Sequence, residues 1–398
     1  MAFSLRPGYA DHDNLSAIKY FGEAVALDPK FALAWAWLAR ENALGYFNKI
    51  GGDIPGLRES AKRAADKAIE LQPNLSEAYL AQGYWHYYCE RDYDSAIASF
   101  EKAGQLSPNN SQIGQALGLV YRRKGDGHRS LDHFRNALQL DPRNASLVEL
   151  QAETLATLRQ YEAALKAYDQ LLDIIPGNST ATANKARILQ DEGDLSAAAA
   201  TLSSQHPDPY SNVFDAQIDQ WVYERRYTEA IAALKTALAS AVPLPRPVIK
   251  IYTKTDLARL EQLSGDIGSA RAAFQQVQND LEALYRSDPE NWEMTWRLAW
   301  ISAALGDIPK ALALARRLVE MWPISRDAFV GTWAHERLAI ILAQAGEKDL
   351  ALKELAISAQ NPVGIRYGNL KFDPFWDPLR GDARFEKIVT SLAPKEVK

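Results

Sequence analysis

Small and aromatic residues recur along the chain at fixed distances before a proline. Pro108, Pro142 and Pro176 lie 34 residues apart. Triplets of a small, an aromatic and a small residue precede prolines in one register: Ala17, Phe21 and Ala24; Ala96, Phe100 and Ala103; Ser130, Phe134 and Ala137. Small residues let two helices approach closely, and proline ends a helix because it lacks an N–H donor. The pattern predicts paired helices, the second of each pair ending at the proline.

A period of 34 residues built from two helices is typical of the tetratricopeptide repeat. Later units are recognised by turn glycines, each followed by an acidic residue: Gly193, Gly265, Gly306 and Gly346. The units are predicted at residues 9–31, 32–75, 76–110, 111–144, 145–178, 179–210, 211–247, 251–290, 292–325 and 332–361. The sequence therefore predicts an all-α fold, a right-handed superhelical α-solenoid of about ten helix-turn-helix repeats with a C-terminal capping segment.

Irregularities in the period predict how the solenoid is divided. The second unit is too long, which predicts a loop insertion at about 48–58, and two proline-rich stretches predict a joint near 203–250. An N-terminal arm at 1–210 would hold about six repeats, the first incomplete. A C-terminal arm at 211–367 would hold about four. Residues 368–398 would form a cap and tail.

The stretch GNLKFDPFWDPLRGDARFEKIV (368–389) resembles the end of the tetratricopeptide region of bacterial modular signalling proteins. The matching residues are Asp373, Pro374, Asp377, Pro378, Leu379, Arg380, Asp382, Arg384 and Phe385. In those proteins the repeats follow a serine/threonine kinase, a winged-helix regulator or an adenylate cyclase. The resemblance implies either an excised C-terminal region of such a protein or a stand-alone relative.

The same C-terminal stretch has a simple physical interpretation. A solenoid end exposes an apolar face, and terminal repeats need a cap. Six apolar residues can supply one: Phe372, Phe375, Trp376, Leu379, Phe385 and Ile388. We therefore expect a cap, with a peptide-like ligand motif as the alternative.

Composition and charge narrow the classes of partner. The chain has 398 residues, 47% of them hydrophobic, with a formal net charge of −5. A net negative chain has no general electrostatic attraction to nucleic acid or anionic lipid. The start lacks the apolar core of a signal peptide, and no run of about 18 uncharged apolar residues occurs. We expect a cytoplasmic protein without a membrane segment or a nucleic-acid partner.

Candidate chemistry is weak throughout the sequence. GGDIPG (51–56) lacks the Lys-Ser/Thr of a phosphate-binding loop, and His335-Glu336 is followed by Ala339 where a zinc protease needs a second histidine. Cys89 could be a nucleophile beside His86, but a small buried residue is the favoured interpretation because its neighbours are acidic. The sequence predicts no catalytic, cofactor or metal site, and hence no enzyme.

Binding residues are expected on the first helix of each unit, which lines the concave groove of this architecture. Ten residues are candidates for partner binding: Trp296, Arg297, Trp300, Trp333, Tyr84, Tyr87, Arg122, Arg187, Tyr252 and Arg259. The tryptophan stripe that begins at Trp292 is either part of the groove or packed against a neighbouring helix.

Two functions are compatible with these features. The first is a non-catalytic scaffold that binds a protein or peptide partner in the groove. The alternative is a regulatory or sensory C-terminal region of a bacterial signalling enzyme or transcription regulator, acting by intramolecular control or dimerisation. Self-association is therefore a possible partner interaction.

Overall fold

A computed structural model describes residues 10–48, 56–203, 208–241 and 247–394. These residues form helices and the turns between them, and this described part contains no strand. The predicted all-α helix-turn-helix fold is confirmed. Most of the predicted insertion lies outside the described ranges, as do residues 204–207 and 242–246 of the proline-rich stretches at 203–210 and 241–247. Residues 1–9 and 395–398 lie outside them as well.

The helices alternate with short turns along the chain. In order they are α1 (Ala10–Leu27), α2 (Ala32–Asn48), α3 (Leu57–Leu71), α4 (Ser76–Trp85), a π-turn (His86–Glu90), α5 (Tyr93–Leu106), α6 (Ser111–Arg123), α7 (Gly127–Leu140), α8 (Ala145–Thr157), α9 (Tyr161–Ile174), α10 (Ser179–Glu192), α11 (Leu195–Ser203), α12 (Asn212–Tyr223), α13 (Tyr227–Ala239), α14 (Pro247–Leu263), α15 (Ile267–Tyr285), α16 (Trp292–Leu305), α17 (Ile308–Met321), α18 (Ala328–Gln344), α19 (Lys348–Gln360), α20 (Tyr367–Phe372), a 3-10 helix (Pro374–Leu379) and α21 (Ala383–Leu392).

These helices form two compact units. Among the described residues, unit 1 extends to Thr154 and unit 2 begins at Leu155, so the division falls inside α8. The arms predicted at 1–210 and 211–367 remain a prediction.

Helix pairing follows the repeat in both units. In unit 1, α2 packs on α3, α4 on α5 and α6 on α7; in unit 2, α14 packs on α15, α16 on α17 and α18 on α19. The first helices of neighbouring repeats also pack together, as α2 with α4 and α16 with α18 do. The first helices therefore share one face of each unit.

The turn inside a repeat is built by a glycine and an aspartate. Gly306 has a φ of 92°, a left-handed conformation that ends α16, and the next residue, Asp307, accepts a hydrogen bond from the Lys310 N–H (3.1 Å). Such a carboxylate satisfies an N–H that has no partner within the helix. The Gly-Asp pair thus ends one helix and begins the next.

Glycine on a first helix sets the distance between paired helices in unit 1. A Cβ atom on Gly118 would lie 2.5 Å from the ring of Phe134, and one on Gly83 would lie 2.3 Å from the ring of Phe100. Both rings are fully buried. The small and aromatic positions of the repeat are therefore direct packing partners.

We expect Gly118→Ala to destabilise unit 1 by roughly 1–3 kcal/mol, because the added methyl group would overlap the Phe134 ring. Urea unfolding followed by circular dichroism measures the change. Gly22→Ala in α1 is the matched control, since its Cβ meets nothing within 4 Å and alanine favours a helix by about 1 kcal/mol over glycine. Equal stability of the two variants would contradict the packing described here.

Candidate partner-binding site

The first helices of unit 1 present a connected set of aromatic and polar side chains. Arg40 of α2 donates a hydrogen bond from Nη1 to Oε1 of Gln112 on α6 (3.1 Å). Its guanidinium carbon lies 4.9 Å from the ring centroid of Trp37 and 5.2 Å from that of Tyr84 on α4. One side chain thus contacts residues of three successive first helices. We call Trp37, Arg40, Tyr88 and Gln112 the unit 1 face.

Two candidate tyrosines of this region are buried. Tyr84 stacks on Tyr88 (5.3 Å between centroids), and Tyr87 packs against Tyr88 and Tyr93. Burial raises the pKa of Tyr84, although the charge of Arg40 opposes the shift, so its hydroxyl is neutral at physiological pH. Tyr88, which was not a candidate, keeps partial exposure.

A π-turn places Tyr88 outside the register that the periodic pattern assumes. His86–Glu90 continues α4 with a wider turn, which changes the register of the side chains after Trp85. The sequence pattern assumes regular α-helical spacing and carries no signal for this change. The same turn contains Cys89, whose pKa burial raises to about 12. Cys89 is buried, as the favoured sequence interpretation expected.

Arg122 joins the last two first helices of unit 1. Its Nη1 lies 3.2 Å from Oε2 of Glu153 on α8, and both side chains are largely buried. The charge is therefore already paired inside the unit. A partner would meet an ion pair at this position.

In unit 2, Arg187 and Arg297 connect successive first helices. Arg187 of α10 donates to the backbone oxygen of Asn212 on α12 (3.3 Å). Arg297 of α16 pairs with Asp256 on α14 (3.2 Å) and lies 4.1 Å over the ring of Tyr252. Burial acts to lower the pKa of Arg297, but the charges of Asp256 and Glu293 and the hydrogen bond to Asp256 together raise it. These three candidates thus contribute to contacts between helices.

The candidate tryptophans of α16 are covered by the C-terminal segment. Trp296 and Trp300 are only 7% and 4% exposed, and they stack on each other at 6.1 Å between centroids. The ring of Phe375, from the 3-10 helix, meets both edge-on, at 6.2 Å and 5.5 Å. The stripe is therefore packed, and its covering comes from the chain's own C-terminal segment.

The two remaining candidates differ in their surroundings. Arg259 of α14 contacts the C-terminal segment, with its guanidinium carbon 3.5 Å from the ring centroid of Phe375. Trp333 of α18 keeps partial exposure and packs against Trp292 (5.6 Å) and Phe329 (5.6 Å). The structure thus places the ten candidates in separate sets, and their role in partner binding stays a prediction.

Carboxylates on α12 lie partly buried on the first-helix side of unit 2. Burial raises the pKa of Asp215 to about 7, the charge of Asp219 adds to the shift, and Arg187 opposes it. Burial also raises the pKa of Asp219. On α10, burial raises the pKa of Asp191 to about 7, with Arg366 opposing. Asp191 and Asp215 therefore change their charge near neutral pH.

In the described ranges, no three or more His, Cys, Asp or Glu side chains are grouped to hold a metal ion. His335 contacts Glu354 through Nδ1 at 2.6 Å. No helix of the described chain combines the length and apolar character needed to cross a bilayer.

We expect Asp215→Asn to stabilise unit 2 more at pH 8 than at pH 5. The carboxylate is neutral in the folded state up to about pH 7 but ionises near pH 3.8 when unfolded. The stability of the wild-type chain therefore decreases as the pH rises from about 3.8 to about 7. The difference should be roughly 1–3 kcal/mol. Urea unfolding by tryptophan fluorescence measures it, with the exposed Asp280→Asn as control. An Asp215→Asn effect that is independent of pH would contradict the raised pKa.

Comparison with known proteins identifies the repeat. The tetratricopeptide repeat model matches residues 116–179 and 255–325. Anaphase-promoting complex subunit 3 of Schizosaccharomyces pombe is 29% identical over 129 residues, which are 32% of this chain and 19% of that protein. The peroxisomal targeting signal receptor of Saccharomyces cerevisiae is 27% identical over 209 residues, 50% of this chain and 33% of the receptor. The matches thus span a third or less of these relatives.

Part of the chain superposes on a solved structure. A tetratricopeptide repeat protein from Parabacteroides merdae superposes with a TM-score of 0.46 at 17% identity, covering 67% of this chain and 98% of that one. The matched segments of the repeat model fall on α6–α9 and α14–α17, where the paired helices described above lie. The described part of the chain is therefore all-α, and residues 116–179 and 255–325 match the tetratricopeptide repeat.

Proposed function

We propose that the chain is a non-catalytic scaffold that binds a protein or peptide partner on the unit 1 face. The observation that supports this most is the position of Arg40 between the rings of Trp37 and Tyr84. Tryptophan, tyrosine and arginine dominate the binding energy of protein interfaces, because they bury large areas with little loss of side-chain entropy. Rings already packed around a fixed guanidinium lose less freedom when a partner binds.

The names of the relatives are consistent with a binding role. One relative is a subunit of a complex and another is a receptor for a targeting signal. Both descriptions refer to recognition of another protein. We extend only this general role to the present chain, and we place it in the cytoplasm.

We expect Arg40→Ala to weaken capture of the partner at least about tenfold, a loss of roughly 1.4 kcal/mol. The immobilised full chain would retain partners from a lysate of the source organism, and titration with a purified partner would give the affinity. Helicity and melting should stay close to wild type, because Arg40 is only partly buried.

The matched control for this experiment is Arg63→Ala, an exposed arginine on the second helix α3. It removes the same side chain from outside the unit 1 face, and it should leave capture unchanged. If Arg40→Ala folds normally and retains full affinity, the unit 1 face is not the binding site.

Self-association is a second candidate, and exposed apolar residues at α1 favour it. Four large apolar side chains are at least a third exposed there: Leu15, Tyr20, Leu27 and Phe31. Leu27 is 88% exposed. Contact with a second copy would cover such side chains. This role would agree with a regulatory region of a bacterial signalling protein that acts by dimerisation.

We expect the double variant Tyr20→Glu/Leu27→Glu to reduce the molar mass measured by light scattering from that of a dimer to that of a monomer. Charged residues at both positions would oppose burial of the α1 surface. Leu140→Glu, at another exposed leucine of unit 1, is the control and should stay dimeric. A monomeric wild-type chain at high concentration would exclude this candidate.

A further inference from the structure

The C-terminal segment of unit 2 lies across the first helices of its own unit. We call residues 364–380 the strap. The strap contains α20, which packs on α10 and α12, and the 3-10 helix, which packs on α18. The following helix, α21, packs on α19. The segment that was expected to cap the solenoid end thus also covers the face where a ligand would bind.

Hydrogen bonds to main-chain oxygens hold the beginning of the strap and two residues shortly before it, Ala359 and Asn361. Nη2 of Arg159 donates to the backbone oxygens of Ala359 (3.4 Å), Asn361 (3.2 Å) and Ile365 (3.1 Å). Arg366 of the strap donates in return to the backbone oxygen of Thr157 (3.2 Å). Contacts to main-chain oxygens do not depend on the side chains of the segment that is held.

Close backbone contact continues along α10. A Cβ atom on Gly368 would lie 1.7 Å from the backbone oxygen of Gln190, so only glycine permits this approach. At the next residue of α10, Oδ2 of Asp191 lies 3.7 Å from Nε of Arg366, with both side chains buried. The strap therefore lies directly on the helix surface.

The middle of the strap is recognised through an acidic and an aromatic side chain. Asp373 pairs with Arg259 at 2.5 Å, and the guanidinium of Arg259 also covers the ring of Phe375. On its other side, Phe375 meets Trp296 and Trp300. Arg259 thus contacts the carboxylate of Asp373 and the ring of Phe375, which follows it by two residues. The two tryptophans contact the same ring.

Two of the arginines that hold the strap occupy turn positions favouring glycine. Arg159 and Arg225 have φ values of 59° and 61°, whereas Gly265 occupies the equivalent turn between α14 and α15. A residue with a side chain is disfavoured in this conformation, because its Cβ lies too close to the backbone. Arg225 forms a two-pronged pair with Asp377 of the strap, at 3.0 Å and 2.8 Å. Both strained residues therefore contribute their side chains to strap binding.

These contacts have the character of peptide recognition. The strap consists of short elements, α20 and the 3-10 helix of six residues each, which have little stability of their own. Its backbone is held by arginine side chains, and its acidic and aromatic residues are held by Arg259 and the tryptophans. A covalently attached ligand also has a high effective concentration, so a competing segment must bind more tightly than the strap alone.

We propose that the first-helix face of unit 2 is a recognition site for a short helical segment with a carboxylate two residues before an aromatic ring, and that the strap occupies it intramolecularly. A partner segment with the same chemistry then binds by displacing the strap. The site is distinct from the unit 1 face. An experiment that excludes binding at the unit 1 face therefore leaves this proposal untouched, and the reverse also holds.

The test uses a fluorescein-labelled synthetic peptide of residues 366–381 and the full-length chain. In the variant Asp373→Asn/Phe375→Ala the strap loses its two recognised side chains, while the groove residues are unchanged. We expect this variant to bind the peptide by fluorescence anisotropy at least about tenfold more tightly than wild type does. Adding Arg259→Ala to the variant should abolish the gain, and a peptide with both substitutions should not bind.

A folded variant that fails to bind the peptide would show that the strap is a permanent part of the fold and would overturn the proposal. Hydrogen exchange of the wild-type chain gives a second, independent measurement if the variant does not fold. Amides of Leu370 and Phe372 should exchange through a local opening, faster than those of α16. Exchange of these amides only through global unfolding would equally contradict a displaceable strap.

Discussion

Close approach of the two helices in a repeat is the constraint on which the rest of unit 1 depends. At Gly83 and Gly118 no Cβ could be accommodated, because a phenylalanine ring of the paired helix fills the space. The contact fixes the spacing within each pair and leaves the first helices on a common face. On that face, Arg40 of α2 reaches Gln112 of α6. Packing of apolar groups thus determines where the polar groups meet.

The fold was predictable because its determinants are local in sequence. Gly118 and Phe134 are 16 residues apart, and the turn signal of Gly306 and Asp307 involves adjacent residues. The residues that specify the two helices and the turn lie within the same repeat. A 34-residue period therefore predicts the pairing without knowledge of distant contacts.

The candidate site was less predictable because its contacts are long-range. Arg259 meets Asp373 over 114 residues of sequence, and Arg366 meets Thr157 over 209. No pattern in the first helices indicates that a later segment will cover Trp296 and Trp300. The π-turn at Tyr88 is a second obstacle, since it changes the register that the periodic pattern assumes. The apolar residues of the C-terminal segment signalled burial, but their location could come only from the structure.

The strap adds contacts between repeats of unit 2 that are distant in sequence. In an open array each repeat contacts only its neighbours, so the ends can unravel one repeat at a time. Here Arg159 and Arg366 tie the segment after the last helix pair to the region of the first. Unravelling from either end must break these ties as well as the local interface. While the strap is bound, we therefore expect the distant repeats of unit 2 to unfold together.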